Sequence, residues 1–235
     1  MKLNDIARLV IFGCSHVGSK SANIQSLWDY ANVLKEPNTW GLSLGDLFEN
    51  AITARGEGMM NDQHLTPDEQ IDEVVRIFRP VANKFLGAVT SNHSRRTYKE
   101  VGIDMDRRLW RELGYEHTYK GLQGTIAFKG KTIAFAHGAG SGDNWSDAIK
   151  LFKIYPGVDI VCVSHRHEMT MKWHCSFKVD LQGHKVKKYC LFVRTGGLMD
   201  YPKYAQEALY SPQKPGFSQL FFLPDGKVRV DPNGL

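Results

Sequence analysis

The sequence predicts an α/β fold, and three observations carry that expectation. Short apolar runs at Leu9 to Phe12, Trp40 to Leu44, Phe85 to Val89, Ile133 to Phe135 and Ile160 to Val163 read as buried strands. Stretches with helical spacing of apolar residues separate the first of these runs. Each run then ends in polar residues able to hold a metal: Cys14-Ser15-His16, Gly45-Asp46, Ser91-Asn92-His93, His137-Gly138 and Ser164-His165-Arg166-His167. Open α/β sheets carry their ligand sites at the carboxyl ends of strands. Five of the nine histidines fall in these spots, which scatter would not produce.

The elements follow in order. After the first strand, Ile24, Leu27, Trp28, Ala31 and Leu34 form a helical stripe. A second helix is marked at Thr66-Pro67-Asp68-Glu69, where Thr66 caps, Pro67 suits the first turn and Glu69 closes a capping box. Its apolar face runs through Ile71, Val74, Val75 and Phe78, and Pro80 limits its far end. A third helix carries Met105, Leu109, Trp110 and Leu113, with Gly114 as its stop. The second half is β-rich. Thr125 to Phe128 and Thr132 to Phe135 flank a Lys129-Gly130 turn. Lys172 to Val179 and Tyr189 to Val193 flank Gly183-His184, and Gln219 to Leu223 joins Val228 to Val230 through Pro224-Asp225-Gly226. Residues 197–216 form the longest irregular stretch of this half.

A length of 235 residues fits one domain, 1–235, with a sizeable core. The formal charge of +5 is compatible with a polyanionic substrate but does not require one. The apolar run Ile6 to Phe12 is too short, and too interrupted by Arg8, to read as a secretory signal, and no stretch approaches membrane-spanning length. Cys14, Cys162, Cys175 and Cys190 show no paired spacing, which suits a reducing cytoplasm. Cys162 and Cys190 lie within apolar runs and read as inert core residues.

The five motifs, in this order, resemble those of the calcineurin-like metallophosphoesterases: Asp-x-His, Gly-Asp, Gly-Asn-His, a lone His, then Gly-His-x-His. The match spans residues 14 to 167. The resemblance implies a four-layer αββα sandwich with two mixed sheets face to face and the metals at one sheet edge. It implies two divalent transition metals, with Mn, Fe or Zn suited better than Mg or Ca and Mn placed first. Cys14, His16, Asp46 and His167 would surround the first ion, and Asp46, Asn92, His137 and His165 the second. Asp46 would bridge, and His93 would protonate the leaving oxygen or steady charge on the phosphoryl group. The implied reaction is phosphoester hydrolysis by a metal-bridging hydroxide, with no protein nucleophile. The small, motif-plus-helices organisation also resembles uncharacterised phosphoesterases of bacteriophages and prophages.

Three departures qualify the resemblance. Cys14 stands where the family has Asp, as in the Gly-Cys-x-His of RNA lariat-debranching enzymes. A thiolate keeps the charge but is softer, so a weaker or more selective first site is expected. Cys14 as a small buried residue beside a single metal is the competing reading. Ser91 and Ser164 replace glycines, which would cost stability if those positions need a positive φ.

Several residues stay open at this level. Arg95 or Arg96 could fork onto a substrate phosphate, with Arg95 preferred, or both could belong to a solvated loop. Glu49 and Asn50 could orient a ligand or begin a helix. The polar stretch Thr53 to Leu65 and the tyrosines at 201, 204 and 210 could form a lid or a base-stacking platform. For the tyrosines, packing is the favoured reading. Arg107, Arg108 and Arg111 read as a solvated helix face, and His64, His117, His174 and His184 as surface or structural residues. The expected activity is a phosphodiesterase acting on nucleic acid or a nucleotide, with no membrane partner and an unassigned oligomeric state. The alternative is a catalytically degenerate binding module of the same fold, favoured by Cys14, Ser91 and Ser164 and opposed by His93.

Overall fold

A computed structural model of the chain describes residues 5–52, 62–140 and 144–231, and of residues 203 and 204 the backbone alone. Five-stranded sheet one has the order β10-β9-β1-β2-β3, built from β1 (Ala7–Phe12), β2 (Thr39–Ser43), β3 (Phe85–Ala88), β9 (Ser218–Phe222) and β10 (Val228–Asp231). Five-stranded sheet two has the order β4-β5-β6-β8-β7, from β4 (Gln123–Phe128), β5 (Lys131–Ala136), β6 (Ile160–Val163), β7 (Thr170–Val179) and β8 (Lys185–Arg194). Strands β1, β2 and β3 are parallel, as are β5, β6 and β8, and antiparallel strands flank each set. Both sheets are therefore mixed.

The sheets face each other across Leu9, Ile11, Leu42, Ile133, Phe135, Cys162, Leu191 and Val193, all buried. Outside sheet one lie α1 (Ile24–Lys35), α2 (Pro67–Phe78) and α4 (Met105–Glu112), whose apolar faces join Val10 and Phe12 in a second cluster. Outside sheet two, α5 (Ser146–Ile154) packs Ala148, Leu151 and Phe152 against Val161 and Phe192. The result is the expected αββα sandwich. Cys162 sits in the inter-sheet core and Cys190 beneath α5, both buried.

Local chemistry explains the boundaries. Thr66 Oγ1 accepts from the Glu69 amide while Glu69 Oε2 accepts from the Thr66 amide at 2.7 Å, so the capping box starts α2. Lys129 and Gly130 both have left-handed φ, 48° and 74°, as a two-residue hairpin turn demands. Two helices go beyond the sequence expectation: α3 (Ser94–Val101), which is polar nearly all round, and α5. Strand β8 begins at Lys185 rather than Tyr189, because its charged first half pairs with β7 through Val179↔Lys185. The stretch 197–216 contains a short helix, α6 (Lys203–Glu207). Of the lid candidate Thr53 to Leu65, residues 53–61 lie outside the described residues, as does the Tyr204 side chain. No helix among the described residues is long and apolar enough to cross a membrane.

Candidate metal centre

The five polar motifs do converge. Loops after β1 and β2 carry Cys14, His16 and Asp46, the loop after β3 carries His93, and loops after β5 and β6 carry His137, His165 and His167. Both sheets thus contribute to one end of the sandwich. Potential ligand atoms of Cys14, His16 and His167 lie within 4.8 Å of one another, as do those of Cys14, Asp46 and His137, and of His16, Asp46 and His93. Cys14 belongs to two of these groups, and its Sγ is 3.1 Å from Ser164 Oγ.

The imidazoles are held so that their open nitrogens face inward. Glu49 Oε2 accepts from His16 Nδ1 at 3.0 Å, leaving Nε2 buried, without a hydrogen-bond partner, and 3.7 Å from Asp46 Oδ2. The Leu44 carbonyl accepts from His137 Nδ1 at 2.7 Å, leaving Nε2 3.0 Å from Asp46 Oδ2 and 3.1 Å from His165 Nδ1. A neutral imidazole with its proton on Nδ1 presents a lone pair at Nε2. Two lone pairs and a carboxylate oxygen so placed repel one another unless a proton or a metal cation sits among them. Oxygen acceptors on the outer nitrogen of ligand histidines are the usual support of a metal site.

Protonation points the same way. Burial holds His167 down at about 3 and His93 at about 4, and burial also lowers His165, so these rings are neutral at pH 7. Burial works against the Asp46 charge, but the surrounding histidines, His137 first, hold its carboxyl well below the usual range. Burial likewise opposes a charge on His137, and Asp46 more than compensates, raising it. Burial, then the Asp46 charge, push the Cys14 thiol far up, so without a cation it keeps its proton. Imidazole nitrogens, one carboxylate and a thiol that a cation would ionise fit a divalent transition metal. Cys14, His16, Asp46, His137, His165 and His167 are the residues that would hold it.

Two expected residues sit apart. Asn92 is exposed and lines a shallow neighbouring depression with His137 and Gly138. Arg95 lines that same depression. The arginine at the centre is Arg96: its Nη2 lies 3.2 Å from His93 Nε2 and its Nη1 donates to the Glu49 carbonyl at 3.0 Å. The same carbonyl accepts from His93 Nδ1 at 2.8 Å, so His93 carries its proton there and offers Nε2 to Arg96. Glu49 begins no helix; it orients His16. Burial pushes its carboxyl up, and the His16 hydrogen bond with the nearby positive groups brings it below its ordinary value. Asn50 fixes the His93 loop, donating to the His93 carbonyl at 2.7 Å and accepting from Thr97 at 2.8 Å.

Above these residues opens a cavity of about 640 Å³. Its floor includes His16, Asp46, His93, His165 and His167, and its far wall includes Tyr201 and Tyr210. The two tyrosines face the cavity rather than packing a loop core; they are 37% and 59% exposed. The Tyr201 hydroxyl donates to the Tyr210 carbonyl, tying the wall across α6. Arg166, between two of the histidines, also lines the cavity, and none of its guanidinium nitrogens has a hydrogen-bond partner. Sequence reasoning passed over it because its place in the motif admits any residue.

No family model matches this chain, and no curated protein matches it. Among solved structures it is similar to the hypothetical protein PH1004 from Pyrococcus horikoshii OT3, at 10% identity and TM-score 0.50, over 96% of this chain and 87% of that one. A metallophosphoesterase from Sphaerobacter thermophilus aligns at 15% identity and TM-score 0.48, over 95% and 86%. Vps29 from Entamoeba histolytica, complexed with Zn²⁺, aligns at 16% identity and TM-score 0.46, over 95% and 97%. At these identities the likeness concerns the fold alone, two mixed sheets between helices.

Proposed function

We propose that the chain is a metal-dependent phosphoester hydrolase, acting on a phosphodiester of nucleotide type. The observation that supports this best is the convergence of two imidazole nitrogens on Asp46 Oδ2, the partnerless Nε2 of His16 and the Nε2 of His137. Divalent ions bound there would supply Lewis acidity toward phosphoryl oxygens and lower the pKa of water. The chain's own residues do the rest. Asp46 offers Oδ2 to histidines from both sheets while Oδ1 accepts from the His93 amide at 3.2 Å, which fixes the carboxylate plane. His93 and Arg96 act as one unit, in which neutral His93 positions a guanidinium beside the phosphoryl site. The diester preference rests on room and lining: beside a phosphate the cavity leaves space for a nucleoside, with Tyr201 and Tyr210 as faces for a base.

The test is hydrolysis of an aryl phosphodiester and the matching monoester with Mn, Fe(II) or Zn under reducing conditions, with Asp46→Asn as control. Metal-dependent turnover of the diester, absent from the variant together with its bound metal, is the expected result. Turnover retained in Asp46→Asn removes the assignment. No turnover with any metal points to the binding-module alternative and makes Cys14→Asp the next variant.

A further inference from the structure

The distal end of sheet two has no role in the chemistry above. Strands β7 and β8 pair over ten positions, Thr170↔Arg194 to Val179↔Lys185, but β6 supports β8 only at Leu191 to Arg194. Residues Lys185–Cys190 therefore have β7 as their one neighbour in the sheet, and the hairpin leaves the body as a two-stranded ribbon. Ten residues of strand span roughly 30 Å. Alternation puts Trp173, Phe177 and Val179 of β7 on the same face as Lys185, Lys187 and Tyr189 of β8, through the pairs Cys175↔Tyr189, Phe177↔Lys187 and Val179↔Lys185. That face is open: Trp173 is 60% exposed, Phe177 65% and Tyr189 52%. Lys187 Nζ stands 5.0 Å from the Tyr189 ring centroid.

Charge selects the occupant. Residues 170–189 hold five lysines and a single acidic residue, Asp180. Lys185 and Lys187 lie on this face, and the pairs Lys172↔Phe192, Ser176↔Lys188 and Lys178↔Val186 put the other three on the opposite one. A second copy docked face to face would bring Lys185 and Lys187 of both copies into one interface with no acidic side chain on the face to offset them, which association penalises. Flat apolar rings interleaved with cations fit a polyanion that also offers flat apolar rings. We infer that this face of the β7–β8 ribbon is a docking surface for single-stranded nucleic acid, held by base stacking on Trp173, Phe177 and Tyr189 and by phosphate contacts from Lys185 and Lys187. The inference stands on the ribbon alone, and its test needs no turnover, so it can fail while the hydrolase reading survives, or the reverse.

The experiment is fluorescence anisotropy of end-labelled dT20 and U20 titrated with the full chain in EDTA. Expected is binding that weakens with salt, log K falling against log salt with a slope of about −1.4 if Lys185 and Lys187 each contact a phosphate. Trp173→Ala and Tyr189→Ala should each weaken binding roughly tenfold, and Lys185→Glu with Lys187→Glu should lower both affinity and slope. These side chains are exposed, so the variants should keep the parent's thermal midpoint. Absence of binding up to about 100 µM protein at low salt overturns the inference, that being the weak end of non-specific affinity. Binding that all three variants leave unchanged overturns it as well. So does a dimer in sedimentation velocity that Trp173→Ala converts to monomer, because the face would then be a subunit interface.

Discussion

At the scale of single residues, the centre is built on backbone that side chains ordinarily avoid. Cys14, His16, Asp46, Asn50, His165 and His167 all have positive φ, between 46° and 77°. Each such residue costs about 1–2 kcal/mol. Cross-ties between the loops hold them: Cys14 donates its amide to the Gly45 carbonyl at 2.9 Å and His16 to the Asp46 carbonyl at 3.0 Å. This strain buys the inward aim of the ligands. The ligand histidines and Asp46 were legible in the sequence because each follows an apolar strand and carries an ionisable or imidazole group. The choice between Arg95 and Arg96 was not, because adjacent residues on a helix point about 100° apart and polar α3 gave no apolar face to orient it. Arg96→Ala should therefore lower turnover by roughly 10- to 100-fold with bound metal intact, and His93→Ala by roughly 100-fold or more. Arg95→Ala should change little. The check is kcat on the aryl diester beside metal content by mass spectrometry, and a damaging Arg95→Ala with a silent Arg96→Ala would reverse the assignment.

At the scale of elements, the two serine departures have a structural reason. Neither Ser91 nor Ser164 is among the residues of positive φ, so the expected cost of serine does not arise. The constraint falls instead on the glycines they face. A Cβ on Gly45, whose φ is +83°, would lie 2.8 Å from Ser91 Cβ and 3.1 Å from the Thr90 carbonyl carbon, and one on Gly13 would lie 2.4 Å from Ser164 Oγ. Gly45→Ala should destabilise the fold by more than ~1 kcal/mol and weaken metal binding through displaced Asp46. Adding Ser91→Gly should recover part of the loss, since it removes the side-chain clash and leaves the φ penalty. Urea unfolding of the three proteins measures this, and equal stability of Gly45→Ala and the parent would refute it. Helix α4 offers a second test. Burial raises the Asp106 carboxyl to about 7, and the hydroxyls of Thr90 and Ser94 offset only part of that rise. The folded chain then binds a proton between about pH 4 and pH 7 that the unfolded chain has lost. Asp106 thus subtracts stability progressively as pH climbs through that window. Asp106→Asn should raise stability at pH 7, leave it nearly unchanged at pH 4, and flatten the profile between. The missed helix α5 was legible in part, since Ala148, Leu151 and Phe152 have helical spacing and are its buried face. The first half of β8 was not, because Lys185, Lys187 and Lys188 carry no apolar run, and pairing with β7 alone makes it a strand.

At the scale of the whole molecule, the residues that would hold a metal are split between the sheets. Cys14, His16 and Asp46 follow strands of sheet one, and His137, His165 and His167 follow strands of sheet two. Elsewhere the sheets meet mainly through apolar side chains, with hydrogen bonds from Thr195 Oγ1 to the Ile11 carbonyl at 2.7 Å and from Ser218 Oγ to the Arg194 carbonyl at 3.4 Å. An ion at this edge would add a further directional tie between them. Metal that binds only the folded chain stabilises it by about 2.7 kcal/mol at a hundredfold excess over its Kd. For a chain of this size each kcal/mol shifts the midpoint by about 2–4 °C, so Mn or Zn should raise Tm by roughly 5–10 °C, and EDTA should reverse the rise. Asp46→Asn, which removes the carboxylate charge shared by histidines of both sheets, should abolish the shift. His137→Ala and Cys14→Ala should each diminish it, although one residue belongs to sheet two and the other to sheet one. Scanning calorimetry with and without metal on the four proteins decides the point. A shift that survives in all three variants would mean that the ion binds elsewhere and does not tie the two sheets at this edge.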